Sequence, residues 1–529
     1  EILIGLVGSE MCIRDRGKAL VKFFCVPYDT IDGVPQFHYP KDYPEKWEIF
    51  KAYNKCDVEA ELEIDRKLLR FPVPNFIWQE FYLDQEINDR GILVDMQLAD
   101  KAIGLDAEAK EELTAEMKRL TGVENPNSVY QLLDWLETQG YKSDSLGKTQ
   151  VQELIKTAKE PVKSVLQMRL QLSKSSVKKY TAMKNTACSD NRARGMFSFY
   201  GASRTGRWAG RNVQLQNLPQ NHLPDLTEAR ELVKYGSFED IQMLYDDVPD
   251  ILSQLIRTAF ITRQGMKFIV ADFSAIEARV IAWLAGEEWR MKAFANGEDI
   301  YCASASKMFG VPVVKHGENG HLRQKGKISE LACGFGGSVG AMKAMGADSL
   351  GLSDTELKQI VTDWREASPH ITELWWAVDR AVKKAVKEKT ATKTHGLLFS
   401  YEAGFLFIRL PSGRRLAYAK PYIGKNKFGG ESVTYMGINA QKKWDRLESY
   451  GPKFVENCVQ GIARDLLMYS MQALSQYFIV GHIHDEMIIE CPKDTKLDEI
   501  CQQMARTPDW AKGLLLRADG YECSFYKKD

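Results

Sequence analysis

Residues 267–285 read KFIVADFSAIEARVIAWLA, and residues 478–490 read FIVGHIHDEMIIE. The first stretch opens as a buried strand that ends at Asp272. A helix follows, with Ile276, Val280, Ile281 and Leu284 on one side. The second is apolar, then His484-Asp485-Glu486, then apolar again, which predicts a tight hairpin with Asp485 at its tip. Taken alone, Asp272 also reads as a helix cap, and the HDE triplet also reads as a polar turn. Taken together, two buried aspartates would repel at a cost of several kcal/mol unless cations hold them. Two divalent ions about 3.5–4 Å apart would do so, and could serve an in-line displacement at a 3′-hydroxyl with a pyrophosphate leaving group.

Between these stretches lies RQKGKISELACGFGG at 323–337. Arg323, Lys327, Leu331 and Phe335 recur every four residues, so they follow one drifting helix side over about 18 Å. Cations at one end and apolar groups at the other suit a nucleotide, with phosphates on the former and base on the latter. The same spacing is common on solvated helices. Gly334, Gly336, Gly337 and Gly340 predict the end of the helix.

Upstream, SFYGASRTGRWAGRNVQLQNLP at 198–219 mixes Arg204, Arg207 and Arg211 with glycines. Glycines let backbone N–H groups reach phosphates, and the arginines add charge. Gln214, Gln216 and Asn217 among Val213, Leu215 and Leu218 predict a strand with one polar face.

The chain has 71 basic and 71 acidic residues and no net charge, which would ordinarily argue against a polyanionic partner. The distribution reverses that inference. Residues 161–218 hold eleven lysines and arginines against one acid, Asp190, and residues 379–443 hold fourteen against four. Residues 219–256 hold eight acids against two bases. Both basic blocks carry aromatics, among them Tyr180, Phe199, Trp208, Tyr401 and Tyr422, which favours a nucleic-acid groove over a merely solvated face.

With 44% apolar and 27% charged residues the chain is globular, and 529 residues suggest about three domains. Its longest uninterrupted apolar candidate, residues 2–7, is far short of a membrane span. Ten cysteines without a CxxC pair read as reduced thiols of a cytosolic protein. Residues 1–16, EILIGLVGSEMCIRDR, fit nothing that follows, resemble translated adapter sequence, and are expected to be extraneous to the fold. Residues 17–75 are mixed, with a helix over 47–69 and a linker, FPVPN, at 71–75. Helices are expected through 76–184 and 290–390, hairpins over 395–435, a helix over 453–478 and a hairpin over 479–490. The fold class is α+β.

These pieces, in this order, resemble family A DNA polymerases, with a flavour closer to viral members. ADFSAIEAR is similar to the family's motif A, RQKGKISELACGFGG to motif B and HIHDE to motif C. TGRWAGRNVQLQNLP and NCVQGIARDLL are similar to two further signatures. The resemblance runs from about residue 76 to the end. It implies a right-hand fold of palm, fingers and thumb: 76–194 the start of the polymerase domain and thumb, 195–290 and 436–529 palm, 291–435 fingers and connecting hairpins. It further implies that Asp272 and Asp485 bind two Mg2+ ions, with Mn2+ able to substitute, and that Glu486 supports them. Arg323 and Lys327 would hold the triphosphate, with Lys327 as general acid, and Leu331, Phe335, Tyr301 and Glu277 would surround the nucleotide. Glu277 would exclude a ribose 2′-hydroxyl. Arg207, Arg211, Gln216, Asn217, Arg279, Gln460 and His484 would touch primer-template DNA. Leu331 departs from the aromatic residue usual in the family, and Tyr301 from the bacterial histidine.

YNKCD at 53–57 resembles the YxxxD motif of the family's RNase H-like 3′–5′ exonuclease. Tyr53 and Asp57 are therefore expected to mark an exonuclease remnant without proofreading activity. The expected function is template-directed DNA synthesis from dNTPs, with no membrane association, in the bacterial host cytoplasm if phage-encoded. A single-subunit RNA polymerase and an idle DNA-binding remnant are the alternatives. Glu277 opposes the first, and Asp272, Asp485, Arg323 and Lys327 oppose the second.

Overall fold

The computed structural model describes residues 17–69, 71–174, 176–245, 247–347, 351–426 and 429–528. The segment 1–16, with its apolar run 2–7, lies outside the described residues. Contacts divide the chain into two compact units, Glu1–Gln79 and Glu80–Asp529.

The first unit has a small antiparallel hairpin, Asp29–Ile31 with Val34–Gln36, and helix α1 (Pro44–Leu68). The helix begins at a proline because the first turn needs no N–H partner there. None of its residues is buried. Aromatic rings do the packing: Phe23 stacks on His38 at 3.9 Å, and Phe24 meets Trp47 at 5.2 Å. Tyr53 and Asp57 lie one turn apart on α1, Tyr53 half-buried and Asp57 exposed.

In the second unit the expected helices appear, the longest being Met96–Thr121, capped by the Asp95 carboxylate on the Leu98 N–H. A separate small core around Met117, Leu132, Trp135 and Leu166 holds the helices between 117 and 166. Strands β1 (Phe197–Ala202) and β2 (Arg207–Gly210) pair and enclose the basic turn. The strand expected across 213–218 is absent: Leu215–Asn217 is a 3-10 turn. Val213 and Leu215 are buried as the alternation demanded, but Asn212 and Gln214 both have positive φ and turn the chain.

Strand β3 (Met266–Phe273) follows, and Ala275, at φ 51°, bends the chain into helix α2 (Ile276–Ala285). Helix α3 (Arg323–Cys333) stops just before the glycines, as expected, so Phe335 lies beyond its end. Helix α4 (Pro369–Glu388) leads into six strands: β4 (Thr392–Thr394), β5 (Leu397–Glu402), β6 (Phe405–Arg409), β7 (Arg415–Lys425), β8 (Glu431–Ile438) and β9 (Trp444–Ser449). They form one antiparallel meander in the order β9-β8-β7-β6-β5-β4, larger than the hairpins expected over 395–435. Strand β9 escaped notice because its sequence, WDRLES, has only two apolar residues.

Helix α5 (Gly451–Ala473) is buried along almost all of its sides, including Arg464 and Asp465. Strands β10 (Ile479–Ile483), β11 (Glu486–Pro492) and β12 (Ala518–Cys523) complete a second sheet in the order β10-β11-β3-β12. Strand β3, fully apolar at Phe268–Ala271, therefore sits between two antiparallel neighbours. The described cysteines are all free. No helix among the described residues is long and apolar enough to cross a membrane.

Candidate active site

Sheet register brings the two distant carboxylate stretches together. Asp272 at the end of β3 is directly opposite Glu486 on β11, and the Phe273 N–H donates to the Asp485 carbonyl at 3.2 Å. The turn between β10 and β11 has two residues, and His484 adopts φ 56°, a region costly for a residue with a Cβ. The short turn and the Phe273 hydrogen bond hold Asp485 beside the end of β3 in spite of that cost. Glu486 is buried and accepts from the Tyr526 hydroxyl at 2.7 Å, which in turn accepts from Arg257 at 2.9 Å.

The electrostatics are unfavourable without a cation. Burial first, then the charges of Asp485 and Glu486, push the Asp272 carboxyl up to about 7. Burial raises Asp485 and Glu486 as well, against the opposing pull of Arg207 on Asp485 and the Tyr526 hydrogen bond on Glu486. Asp272 Oδ1 is buried with no hydrogen-bond partner. An orphaned carboxylate oxygen beside two further carboxyls fits a divalent cation. Among the described residues no group of three or more His, Cys, Asp or Glu side chains forms a ready-made metal site, so a bound ion would complete its shell with backbone carbonyl, water or substrate oxygens.

Glu277, in the first turn of α2, accepts from Arg207 at 2.7 Å. Arg207 is held in turn by the bend before it. Gly206 has φ 74°, and a Cβ there would strike the Arg414 guanidinium at 2.3 Å. Beneath the bend lies a charged floor. The Arg464 guanidinium donates to Glu80 at 2.6 Å and to the Gly206 carbonyl at 3.1 Å. It also lies 4.6 Å from the Trp208 ring centre and 5.1 Å from that of Tyr200. Asp465 accepts from Arg414 and Ser412, and Arg414 also donates to the Gly461 carbonyl at 2.8 Å. His482, on β10, stacks on Phe197 and meets the tilted Trp208 ring, both at 4.4 Å. Its Nε2 is buried without a partner, and burial pushes its pKa down to about 3.

On α3, Arg323 donates to Asp299 at 2.7 and 3.0 Å and lies over the Tyr301 ring. Asp299 also caps the helix Ile300–Phe309. Among the described residues no carboxylate lies within ion-pair distance of Lys327. Gly326 permits the close crossing of these helices, because a Cβ would meet the Tyr301 carbonyl at 2.2 Å. Near the other end of α3, Glu330 binds Arg290 through both oxygens at 2.6 and 2.8 Å and accepts from Trp364 at 2.8 Å. Between α2, α3 and the β10–β11 turn opens a cavity of about 320 Å³. Glu277, Tyr301, Leu331, Phe335 and Asp485 all line it, and Leu331 is 47% exposed. Three stretches separated by up to 210 positions thus meet around one space sized for a small ligand.

The sequence pattern of DNA polymerase family A matches residues 99–512. The chain belongs to that family. The DNA polymerase of Bacillus phage SP02 is 49% identical over 521 residues, covering 97% of this chain and 80% of that protein. The thermostable DNA polymerase I of Thermus aquaticus is 26% identical over 249 residues, covering 46% of this chain and 25% of that one. A solved structure, the POL domain of Pol1 from M. smegmatis in complex with DNA primer-template and dNTP, superposes with a TM-score of 0.57 at 18% identity. It covers 96% of this chain and 78% of that one, which shows the shared fold. This family A chain is a DNA-directed DNA polymerase that carries out template-directed synthesis. Family A polymerases are generally metal-dependent.

Not every residue of the polymerase site lies where the sequence suggested. Arg279, expected at DNA, is buried and donates to the Ser274 and Leu515 carbonyls with its guanidinium over Phe294, so it braces α2 instead. Arg211 and Asn217 are exposed, Asn217 bonded to Gln214, while the Gln216 Oε1 is buried against Gly210. Gln460, on α5, is half-buried, and His484 is exposed on its turn. Sequence reading missed Asp299, Arg290, Glu330, Arg414 and Arg464. A charged pair, Arg464-Asp465, inside the apolar run of α5 was the available signal for one of them. For Asp299 the signal was a capping aspartate ahead of IYCASA.

Proposed function

We propose that this polymerase extends the 3′ end of primer-template DNA by nucleotidyl transfer from dNTPs, with Asp272 and Asp485 as metal ligands. The observation that carries the reading is the shared cavity, where Glu277, Leu331, Phe335 and Asp485 converge beside the orphaned Asp272 oxygen. Two Mg2+ ions, or Mn2+ in their place, would be held by Asp272 and Asp485 and would supply charge stabilisation and a more acidic primer hydroxyl. Glu486, fixed by the Tyr526 hydroxyl, stands beside the pair as a supporting carboxylate.

The chain's own groups divide the remaining work. Arg323 and Lys327 point their charge toward the phosphates, and Lys327 gives its proton to the departing pyrophosphate. For Arg323 to do so it exchanges its Asp299 partner for substrate. Tyr301, Leu331 and Phe335 pack on base and sugar. Glu277, held in place by Arg207, occupies the space a 2′-hydroxyl needs. Arg207, Arg211, Asn217, Gln460 and His484 face the duplex. The palm is assigned to 195–290 and 436–529, since both segments build the central sheet. The thumb is assigned to 76–194 and the fingers with their hairpins to 291–435. Residues 17–75 are assigned to a 3′–5′ exonuclease-like segment on the Tyr53 and Asp57 spacing alone. A phage enzyme of this kind works in its host's cytoplasm.

Primer extension with magnesium by the wild type and by Asp485→Ala tests the reading. Extension by the wild type and a loss of at least a hundredfold in the variant are expected. Equal extension by both proteins would end the metal assignment.

A further inference from the structure

The meander carries a feature that the site above does not use. Its last hairpin, β8 and β9, places Ile438 directly opposite Trp444, and these side chains are 54% and 60% exposed. Two more residues on the same face are Arg446, opposite Met436, and Tyr422 on β7, half-exposed beneath the Arg446 guanidinium at 4.3 Å. Glu448 is further along the face, and Asp445 points to the other side, where Asn439 holds it at 3.2 Å.

The tip, residues 439–443, is built rather than loose. The Asn439 side chain accepts from the Gln441 and Lys443 N–H groups at 3.0 and 2.9 Å, and its backbone closes on Lys443 and Lys442. Lys442 and Lys443 are both exposed on it. Lys442 stands at φ 59°, a turn position where glycine is relaxed and a lysine is not. The hairpin is also placed beside the basic turn: Arg204 donates to the Ile438 carbonyl at 3.2 Å, three residues before Arg207. The exposed Ile438–Trp444 pair, with Lys442, Lys443 and Arg446, thus lies beside Arg204 of the basic turn, and three bases against Asp445 and Glu448 leave residues 438–449 net positive.

We propose that the β8–β9 hairpin is a second grip on the duplex arm of primer-template DNA. Lys442 and Lys443 lie on backbone phosphates, and the Ile438–Trp444 pair packs against the minor-groove edge. The proposal rests on the reading of the basic turn as a DNA contact. A duplex is favoured over a single strand because the hairpin adjoins, through Arg204, the basic turn whose Arg207 holds Glu277 at the cavity.

The test uses the full chain, a blunt 20-base-pair duplex, and recessed primer-templates with short and long overhangs. Binding is read by fluorescence anisotropy across a salt series, and chemistry by single-turnover extension at saturating DNA. The Lys442→Ala/Lys443→Ala pair is expected to raise Kd on the blunt duplex about tenfold. Its log–log salt slope should fall by roughly one to two, at about 0.9 for each phosphate that a lysine no longer neutralises. Trp444→Ala should raise Kd about fivefold or more with the slope unchanged. Lys442→Gly relaxes the backbone and removes one charge, so it should raise the melting temperature and still weaken binding. Extension rates at saturating DNA should remain within twofold in every variant. Unchanged duplex affinity in these variants would overturn the proposal. So would a loss confined to long overhangs, which would assign the patch to the template strand. A wild type that binds duplex through these residues but extends no primer would count against the polymerase reading and leave the grip intact.

Discussion

Arg464→Met offers a demanding test of how the site is held. The substitution keeps a long side chain in the middle of α5 but removes a guanidinium that is 1% exposed. Glu80 then loses its 2.6 Å partner inside the protein, and the Gly206 carbonyl loses its donor at 3.1 Å. Breaking one side of a buried pair costs about 3–5 kcal/mol. Burial already raises the Glu80 carboxyl, so taking up a proton offers it partial relief and favours the lower part of that range. The contacts to Trp208 and Tyr200 add on the order of 1 kcal/mol. Urea unfolding followed by tryptophan emission is a direct readout, because Trp208 lies against the guanidinium. A loss of about 4 kcal/mol is expected. Adding Glu80→Gln should recover about 2 kcal/mol of it, since the uncompensated charge is gone. Because Gly206 precedes Arg207, the Michaelis constant for primer-template should rise at a temperature where the variant stays folded, with dNTP affinity less affected. A cost under 1 kcal/mol, or strictly additive effects of the two substitutions, would refute the claim that this floor holds the turn.

Further outcomes follow from the same geometry. Glu277→Ala should raise ribonucleotide incorporation by roughly ten- to a hundredfold, read as the ratio of kcat/KM for rNTP and dNTP, because the carboxylate held at 2.7 Å by Arg207 is removed. His482 is neutral when folded because its pKa is about 3, whereas an unfolded histidine titrates near 6.5. The unfolded state therefore binds the proton first as pH falls below about 6.5, and this group's contribution to stability is lost progressively down to about 3. Between pH 7.5 and 5 the loss amounts to about 2 kcal/mol, and the difference between wild type and His482→Gln in urea titrations should show it.

The parts of the site that strands and short-range pattern dictate were legible in the sequence. Asp272 ends an apolar run, Asp485 sits at the tip of an apolar hairpin, and their pairing follows once those strands join one sheet. The helix carrying Arg323 and Lys327 was legible by period, and its end by glycine. What escaped was set by burial that local pattern does not encode. Arg279 reads as a basic residue on a helix start, yet two carbonyls at 2.7 and 2.9 Å turn it inward. Gln214 and Gln216 alternate with apolar residues as a strand would, but left-handed residues at 212 and 214 convert the alternation into a turn. Glu330 looks like any polar helix residue, and only the distant Arg290 and Trp364 make it a buried anchor. Strand β9 is recruited by its neighbour β8 rather than by its own composition.

That anchor sets how α3 is able to travel. Glu330 is fixed by three short bonds into the surrounding helices, while Arg323 is tethered by one partly exposed aspartate. Because Gly326 lies tight against the helix Ile300–Phe309, a swing about Glu330 would carry that helix along with α3. Seven residues separate the two positions, a lever of about 10.5 Å at 1.5 Å per residue. A swing of about 30° would sweep Arg323 through roughly 5 Å while shifting Leu331, next to the pivot, far less. Capture of phosphate and fit of the sugar would thus be mechanically decoupled, the first a matter of long reach and the second of fixed shape.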